Sequence, residues 1–308
     1  MTGGAGASSL SGMPIIATRD LTMRFPGVTA LDALSFTVET GVTGLVGANG
    51  AGKSTLIKIL LGLLPPTSGG ARVLGHDIAA EGARIRESVG FMPEYDCLPP
   101  DVSATEFVVH LARVSGLPAT AARERAADVL RHVGLYEERY RPMGGYSTGM
   151  RQKVKLAQAL VHDPRLVFLD EPTNGLDPRG RDEMLALIRR IGTEFGISVL
   201  VTSHLLGELE RVCDNVVIID GGRLLSAQSL AAYTEASGRL LVEVEDGREA
   251  LERHLAERGA TVRPDGRHLV VDLAGEETYD LIRDGVADLG LALVRLEQAR
   301  HHIEEVFR

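Results

Sequence analysis

The chain has 308 residues, 44% of them apolar and 24% charged, and carries a net charge of −9. That length suffices for one large or two unequal domains with buried cores, and the acidic balance excludes a dedicated nucleic-acid face, which needs a basic stripe. No run approaches the roughly 18 apolar residues of a membrane span, and Cys97 and Cys213 lack C-x-x-C spacing, so a cytosolic chain with reduced thiols is expected.

Residues 1–13 are rich in Gly, Ala and Ser and lack the basic-then-apolar order of a signal peptide, so a flexible tail is expected there. Residues 14–46 read as short alternating strands around a Pro26-Gly27 turn. Thr43-Gly44-Leu45-Val46 ends a strand, and Gly47-Ala48-Asn49-Gly50-Ala51-Gly52-Lys53-Ser54-Thr55 then fits the spacing G-x-x-x-x-G-K-[ST]. The glycines let the backbone curl so that successive N–H groups face a phosphate. Lys53 brings a point charge to the β- and γ-phosphates, and Ser54 offers a hydroxyl to Mg²⁺. Residues 55–61 carry apolar side chains on a helical period, which places the loop at a helix N-terminus, where anions are favoured. In a chain with only four lysines the match implies binding of a nucleoside triphosphate.

Further along, Gly90-Phe91-Met92-Pro93-Glu94-Tyr95-Asp96 leads into a mostly helical stretch, about 96–162, in which residues 121–133 place Ala and Leu at helical spacing. Ser103 is a candidate N-cap with Glu106 three positions on. Tyr146-Ser147-Thr148-Gly149-Met150-Arg151-Gln152 and a helical segment then precede Leu166-Val167-Phe168-Leu169-Asp170-Glu171. A short apolar run ending in two carboxylates is what a buried parallel strand presents at its C-terminal end. Asp170 suits a hold on Mg²⁺, and Glu171, facing the other side, suits a general base for water. The alternative is that these strand-end acids cap the next helix. Residues 183–195 read as helix, 197–202 as strand, 205–213 as helix and Asn215–Asp220 as strand, which argues for a mostly parallel sheet wrapped by helices.

After Gly221-Gly222 the composition changes: residues 225–308 hold no lysine and 17 acidic residues against 10 arginines. The pattern there is strand (239–245), helix (248–258), strand (260–263), a Pro264-Asp265-Gly266 turn, strand (268–273), helix (276–289) and strand (291–296). That β-α-β-β-α-β order is ferredoxin-like. His301 and His302, without acid or cysteine spacing, make a poor metal site.

In combination these segments resemble the ATP-binding cassette (ABC) ATPases. Residues 146–152 resemble their signature loop, usually L-S-G-G-Q; Asn174-Gly175-Leu176-Asp177-Pro178 their D-loop; Thr202-Ser203-His204 their histidine switch. With Phe25 upstream and Pro93-Glu94 between, the motifs run in family order over residues 14–222. The resemblance implies an α/β P-loop NTPase core, with a mostly parallel sheet, an antiparallel β part and a helical subdomain, followed by a small ferredoxin-like α+β domain. It implies ATP and Mg²⁺ as cofactors. It also implies a second copy of the chain, paired head to tail around two ATP molecules. One copy would supply the phosphate loop and Glu171; the other would supply Ser147 and the Gly149 N–H to the γ-phosphate. His204 would join Lys53 and Glu171 in catalysis by contacting the γ-phosphate and orienting water, unless it is a surface imidazole at a strand end. Asp177 would position the opposing site, although an Asp before Pro is also an ordinary turn residue. Ser54, Glu94 and Asp170 would form the metal set.

Three departures from the family pattern stand out. Phe25 takes the adenine platform usually held by Tyr, or is a core ring. The signature carries Thr148 and Met150 where Gly and Gln are usual, while Ser147 and Gly149 remain. Glu94 replaces the glutamine of the family's Q-loop; its charge near the γ-phosphate is either compensated by the ion or pointed away in a loop that couples to a partner. The C-terminal module resembles the extension on ATPase subunits of ABC-2-type exporters, including drug and antibiotic exporters of the daunorubicin type, and residues 303–307 fit their usual ending. That implies an ATPase docked on a separate integral-membrane permease, peripheral on the inner face of the cell membrane, and exporting an unidentified drug, antibiotic or lipid-like substrate. A soluble ABC ATPase of translation or DNA repair is the competing class, yet its usual second cassette, coiled coil or zinc insertion is missing from these residues.

Overall fold

Val42–Val46, Leu166–Leu169 and Ser198–Ser203 are buried along their whole length, as only a sheet covered on both faces allows. In a computed structural model describing residues 13–230 and 236–300, they form the middle of a six-stranded sheet. Its order is Arg223–Ser229, Asn215–Asp220, Val42–Val46, Ser198–Ser203, Leu166–Leu169, Val89–Met92. All neighbours are parallel except Arg223–Ser229, which returns antiparallel on Asn215–Asp220. Parallel strands end at one edge, so the residues after Val46, Leu169 and Ser203 emerge side by side; Val46 pairs with Ser203, and Leu169 with Val201.

A second, antiparallel sheet carries Val28–Leu34, Ile16–Phe25, Ser68–Val73 and His76–Asp77, with Thr37–Val38 also on Ile16–Phe25. Ile16 and Leu31 of this sheet, Ile57 and Leu60 of the helix Lys53–Leu60, and Phe168 and Val217 of the parallel sheet share one apolar cluster. The helices Ala104–Val114, Ala119–His132 and Thr148–Leu160 make up the helical part. Its opening is the expected capping box: Glu106 N donates to Ser103 Oγ at 3.2 Å, and Ser103 N to Glu106 Oε2 at 2.9 Å. Two helices differ from expectation. The one expected at 183–195 runs over Pro178–Thr193, because Asp177 caps it and proline suits its first turn. The one expected at 205–213 covers only Leu206–Leu209. Asp214 pulls the chain onto the sheet there, its N donating to Val42 O at 2.7 Å while its Oδ2 accepts from Val42 N at 2.8 Å.

The chain divides into two compact units between Ser229 and Leu230, beyond Gly222, because Arg223–Ser229 belongs to the parallel sheet's edge. The second unit orders its strands Val262–Asp265, His268–Asp272, Ala236–Val244, Leu293–Arg300, all neighbours antiparallel, with the helices Arg248–Glu257 and Glu277–Asp288 between them in sequence. This is the ferredoxin-like arrangement. The turn falls at Gly266-Arg267 rather than on Pro264, which sits in the edge strand Val262–Asp265, where its missing N–H is tolerated. Leu240, Leu251, Leu255, Leu269 and Ile282 fill this unit's own core. The expected tail apart from Met13, the pair His301 and His302, and residues 303–307 lie outside the described residues. Among the described residues no helix is long and apolar enough to cross a membrane.

Candidate functional site

The loop after Val42–Val46 is built so that side chains keep clear of it. Gly50 and Gly52 hold φ at +85° and +102°. A Cβ on Gly52 would stand 2.4 Å from Ala30 O, and one on Gly47 2.4 Å from Ile219 O. Glycine is therefore required at both places. The helix Lys53–Leu60 starts from Gly52 with no side-chain cap, leaving its first N–H groups for an anion. Over the loop opens a cavity of about 350 Å³ bordered by Asn49, Gly50, Gly52, Lys53, Ser54 and Thr55, and by Val28, Ala30, Glu94 and Glu171. Lys53 is buried, and its Nζ donates to Gly47 O at 2.7 Å and Ala48 O at 3.3 Å.

The two acids enter from the end of Leu166–Leu169, which Ser198–Ser203 separates from the strand before the loop. Glu171 is buried and lies in the left-handed region at φ +48°, a conformation that costs a non-glycine residue on the order of 1–3 kcal/mol and collects at functional sites. Its Oε1 stands 3.5 Å from Lys53 Nζ, and its Oε2 2.9 Å from His204 Nδ1. Thr202 ties the pair of acids together: its hydroxyl donates to Asp170 Oδ1 at 2.8 Å and accepts from Glu171 N at 2.8 Å. Glu171 does not cap the next helix; Asp177 does, its Oδ1 accepting from Gly180 N at 3.0 Å. The arrangement pairs a cation for phosphate oxygens with a carboxylate and an imidazole for a water proton. Among the described residues no group of three or more His, Cys, Asp or Glu side chains is disposed to hold a metal ion. Ser54 and Asp170 nonetheless match Mg²⁺, a hard cation that takes few protein oxygens and completes its shell with water and phosphate.

The other residues singled out by the sequence divide into two groups. Phe25 is exposed, not a core ring, and its strand partner Val28 borders the cavity. Glu94 borders the same cavity, and Asn174 Nδ2 donates to its Oε1 at 3.2 Å. Ser147, Gly149 and Asp177 instead border a separate cavity of about 500 Å³, where Ser147 Oγ caps the helix Thr148–Leu160 by accepting from Met150 N at 3.3 Å. Sequence reasoning passed over Lys155. It is buried in that helix and donates to Glu94 O at 2.8 Å and Tyr95 O at 3.2 Å. Burial holds its ammonium below the ordinary lysine range, against the nearby Cys97, Asp96, Glu94 and Asp170. Its rarity as one of four lysines, set between Val154 and Leu156 in the helical run, was the available signal.

A glycine loop wrapped on a helix start, with a strand-end Asp-Glu pair and a Thr and His from the adjacent strand, defines a P-loop nucleoside triphosphatase. A family profile described as ABC transporter matches residues 31–174. The daunorubicin/doxorubicin resistance ATP-binding protein DrrA of Streptomyces peucetius is 37% identical over 81% of this chain and 77% of its own. The Nod factor export ATP-binding protein I of Ralstonia nicotianae is 36% identical over 69% of this chain and 66% of its own. Among solved structures, cbiO1 from Clostridium perfringens, described as part of the ABC transporter complex cbiONQ, superposes with a TM-score of 0.65 at 29% identity, covering 71% of this chain and 90% of that one. The chain belongs to the ABC transporter ATP-binding proteins, and it is an ATP-binding ATPase.

Proposed function

We propose that the chain powers export, docked as a peripheral subunit on a separate integral-membrane permease at the inner face of the cell membrane. The observation carrying the hydrolytic part is the contact of Glu171 with both Lys53 and His204 beside the phosphate cavity. In this reading Lys53 and the N–H groups of the 47–55 loop hold the phosphates, Glu171 takes the proton of the attacking water, and His204 holds Glu171 and senses the γ-phosphate. Mg²⁺, held through Ser54 and Asp170 with Glu94 nearby, would offset charge on the β- and γ-phosphates when bound. Phe25 stacks on adenine from the rim. The cassette comprises residues 14–222 with the strand Arg223–Ser229 added, and the ferredoxin-like unit is an accessory domain.

Ser147, Gly149 and Asp177 border a different cavity from the phosphate loop, as expected if they serve the ATP of a second copy. Two chains paired head to tail then complete two sites, and ATP binding drives the closure. Export as the direction draws on the relatives named for drug resistance and Nod factor export, together with the ferredoxin-like unit. Fractionation of the native cells tests the docking: the chain is expected in the membrane pellet and released by an alkaline wash. A chain wholly in the supernatant of cells making the transporter would contradict the proposal.

A further inference from the structure

The helix Thr148–Leu160 grips both loops that flank the phosphate cavity. Arg151 Nη1 reaches Asp96 Oδ2 at 3.3 Å, Gln152 Nε2 donates to Asn174 O at 3.1 Å, and Lys155 Nζ donates to the carbonyls of Glu94 and Tyr95. Asn174 closes the circuit through its 3.2 Å bond to Glu94 Oε1. Lys155, buried like Gln152, is the buried charge of this set, at 3% exposure, and a buried ammonium persists only where neighbouring charge and hydrogen bonds offset its desolvation. Its bonds to two carbonyls supply part of that, and Glu94, Asp96 and Asp170 supply negative charge nearby. Conversely, Glu94 brings an acid to the edge of the cavity over the phosphate loop.

We propose that Lys155 is a positioning residue for ATP hydrolysis, whose buried ammonium fixes the Glu94–Tyr95 turn and offsets the Glu94 carboxylate, so that an acid can stand beside the triphosphate. Glu94 and Lys155 are then one device, and the helix that presents Ser147 is tied through it to the phosphate cavity of the same chain. The two features belong together: a buried lysine in the helix and an acid on the loop whose carbonyls it holds. This rests on reading the 47–55 loop and Glu171 as the hydrolytic site.

A double-mutant cycle tests the coupling. Turnover of ATP and the affinity for a fluorescent ATP analogue are measured separately in wild type, Glu94→Gln, Lys155→Met and the double variant. Lys155→Met is expected to lower turnover about 10-fold or more in the Glu94 background and about 3-fold or less in the Glu94→Gln background, with nucleotide affinity moving less than turnover. An equal loss in the two backgrounds overturns the proposal. Should Lys155→Met fold poorly, the same cycle is read in thermal midpoints, where Glu94→Gln is expected to raise the midpoint of the lysine variant more than that of wild type; equal shifts overturn it. Glu171→Gln, run alongside, separates the two readings. Wild-type turnover in that variant removes the hydrolytic assignment itself, whereas an inactive Glu171→Gln with an additive cycle removes only the role of Lys155.

Discussion

Replacing Glu171 with glutamine changes one atom of the site and leaves its shape. The amide oxygen still faces His204, whose Nδ1 stands 2.9 Å from Oε2 in the native chain, and the main-chain bond from Glu171 N to Thr202 Oγ1 is untouched. What disappears is the capacity to take a proton and the negative charge 3.5 Å from Lys53 Nζ. General-base catalysis contributes roughly 10²–10⁴-fold. Because positioning survives the substitution, the loss is expected at the lower end, on the order of 10²–10³ in turnover or about 3–4 kcal/mol. Binding behaves differently. Lys53, relieved of its carboxylate partner, keeps its bond to Gly47 O at 2.7 Å and gains from a phosphate, so ATP affinity is held or increased. Phosphate release at saturating Mg-ATP, paired with equilibrium binding of a fluorescent analogue, reads both quantities. Turnover within about 3-fold of wild type would refute the reasoning, since a general base is worth at least about 10²-fold.

The phosphate loop gives two further predictions. Lys53→Ala abolishes tight ATP binding, measured by the same titration, because the residue's buried charge and its hold on the loop carbonyls both go. Gly52→Ala combines a φ of +102° with a Cβ 2.4 Å from Ala30 O, so loop geometry and ATP affinity are lost together; calorimetry with ATP checks this. Burial pushes the Cys213 thiol up from 9.0 to about 12. Between those values the unfolded chain gives up a proton that the folded chain keeps, so Cys213 stabilises fully below about pH 9 and its contribution falls as pH rises toward about 12. Urea midpoints across that window should decline more steeply in wild type than in Cys213→Ala.

The elements legible in the sequence were those with strong local signals. Leu166–Leu169 announced itself as a continuous apolar run and Ser103 as a capping box, while the βαββαβ order of the second unit followed from alternation and turn residues. The helix at Leu206–Leu209 was overestimated because its end is set by the Asp214 bonds to Val42, a long-range tie that no local pattern encodes. In the site, the 47–55 loop and the Asp170-Glu171 pair were visible as contiguous motifs. Thr202's bridging of the two acids and the reach of Lys155 to the Glu94 turn depend on which strands and helices become neighbours. Asp177 lay between two readings; it caps the next helix through Gly180 N, and its place beside Ser147 is what the proposed pairing uses.

The account stands most directly on the mass of the Glu171→Gln variant in solution, measured by light scattering with and without Mg-ATP at concentrations where the analogue titration shows the site filled. A monomer that becomes a dimer on adding ATP is the expected result, because Ser147 and Gly149 border a cavity apart from the phosphate loop and in the proposed pairing would meet the γ-phosphate held by a second copy. An ATP-filled chain that stays monomeric would contradict the account.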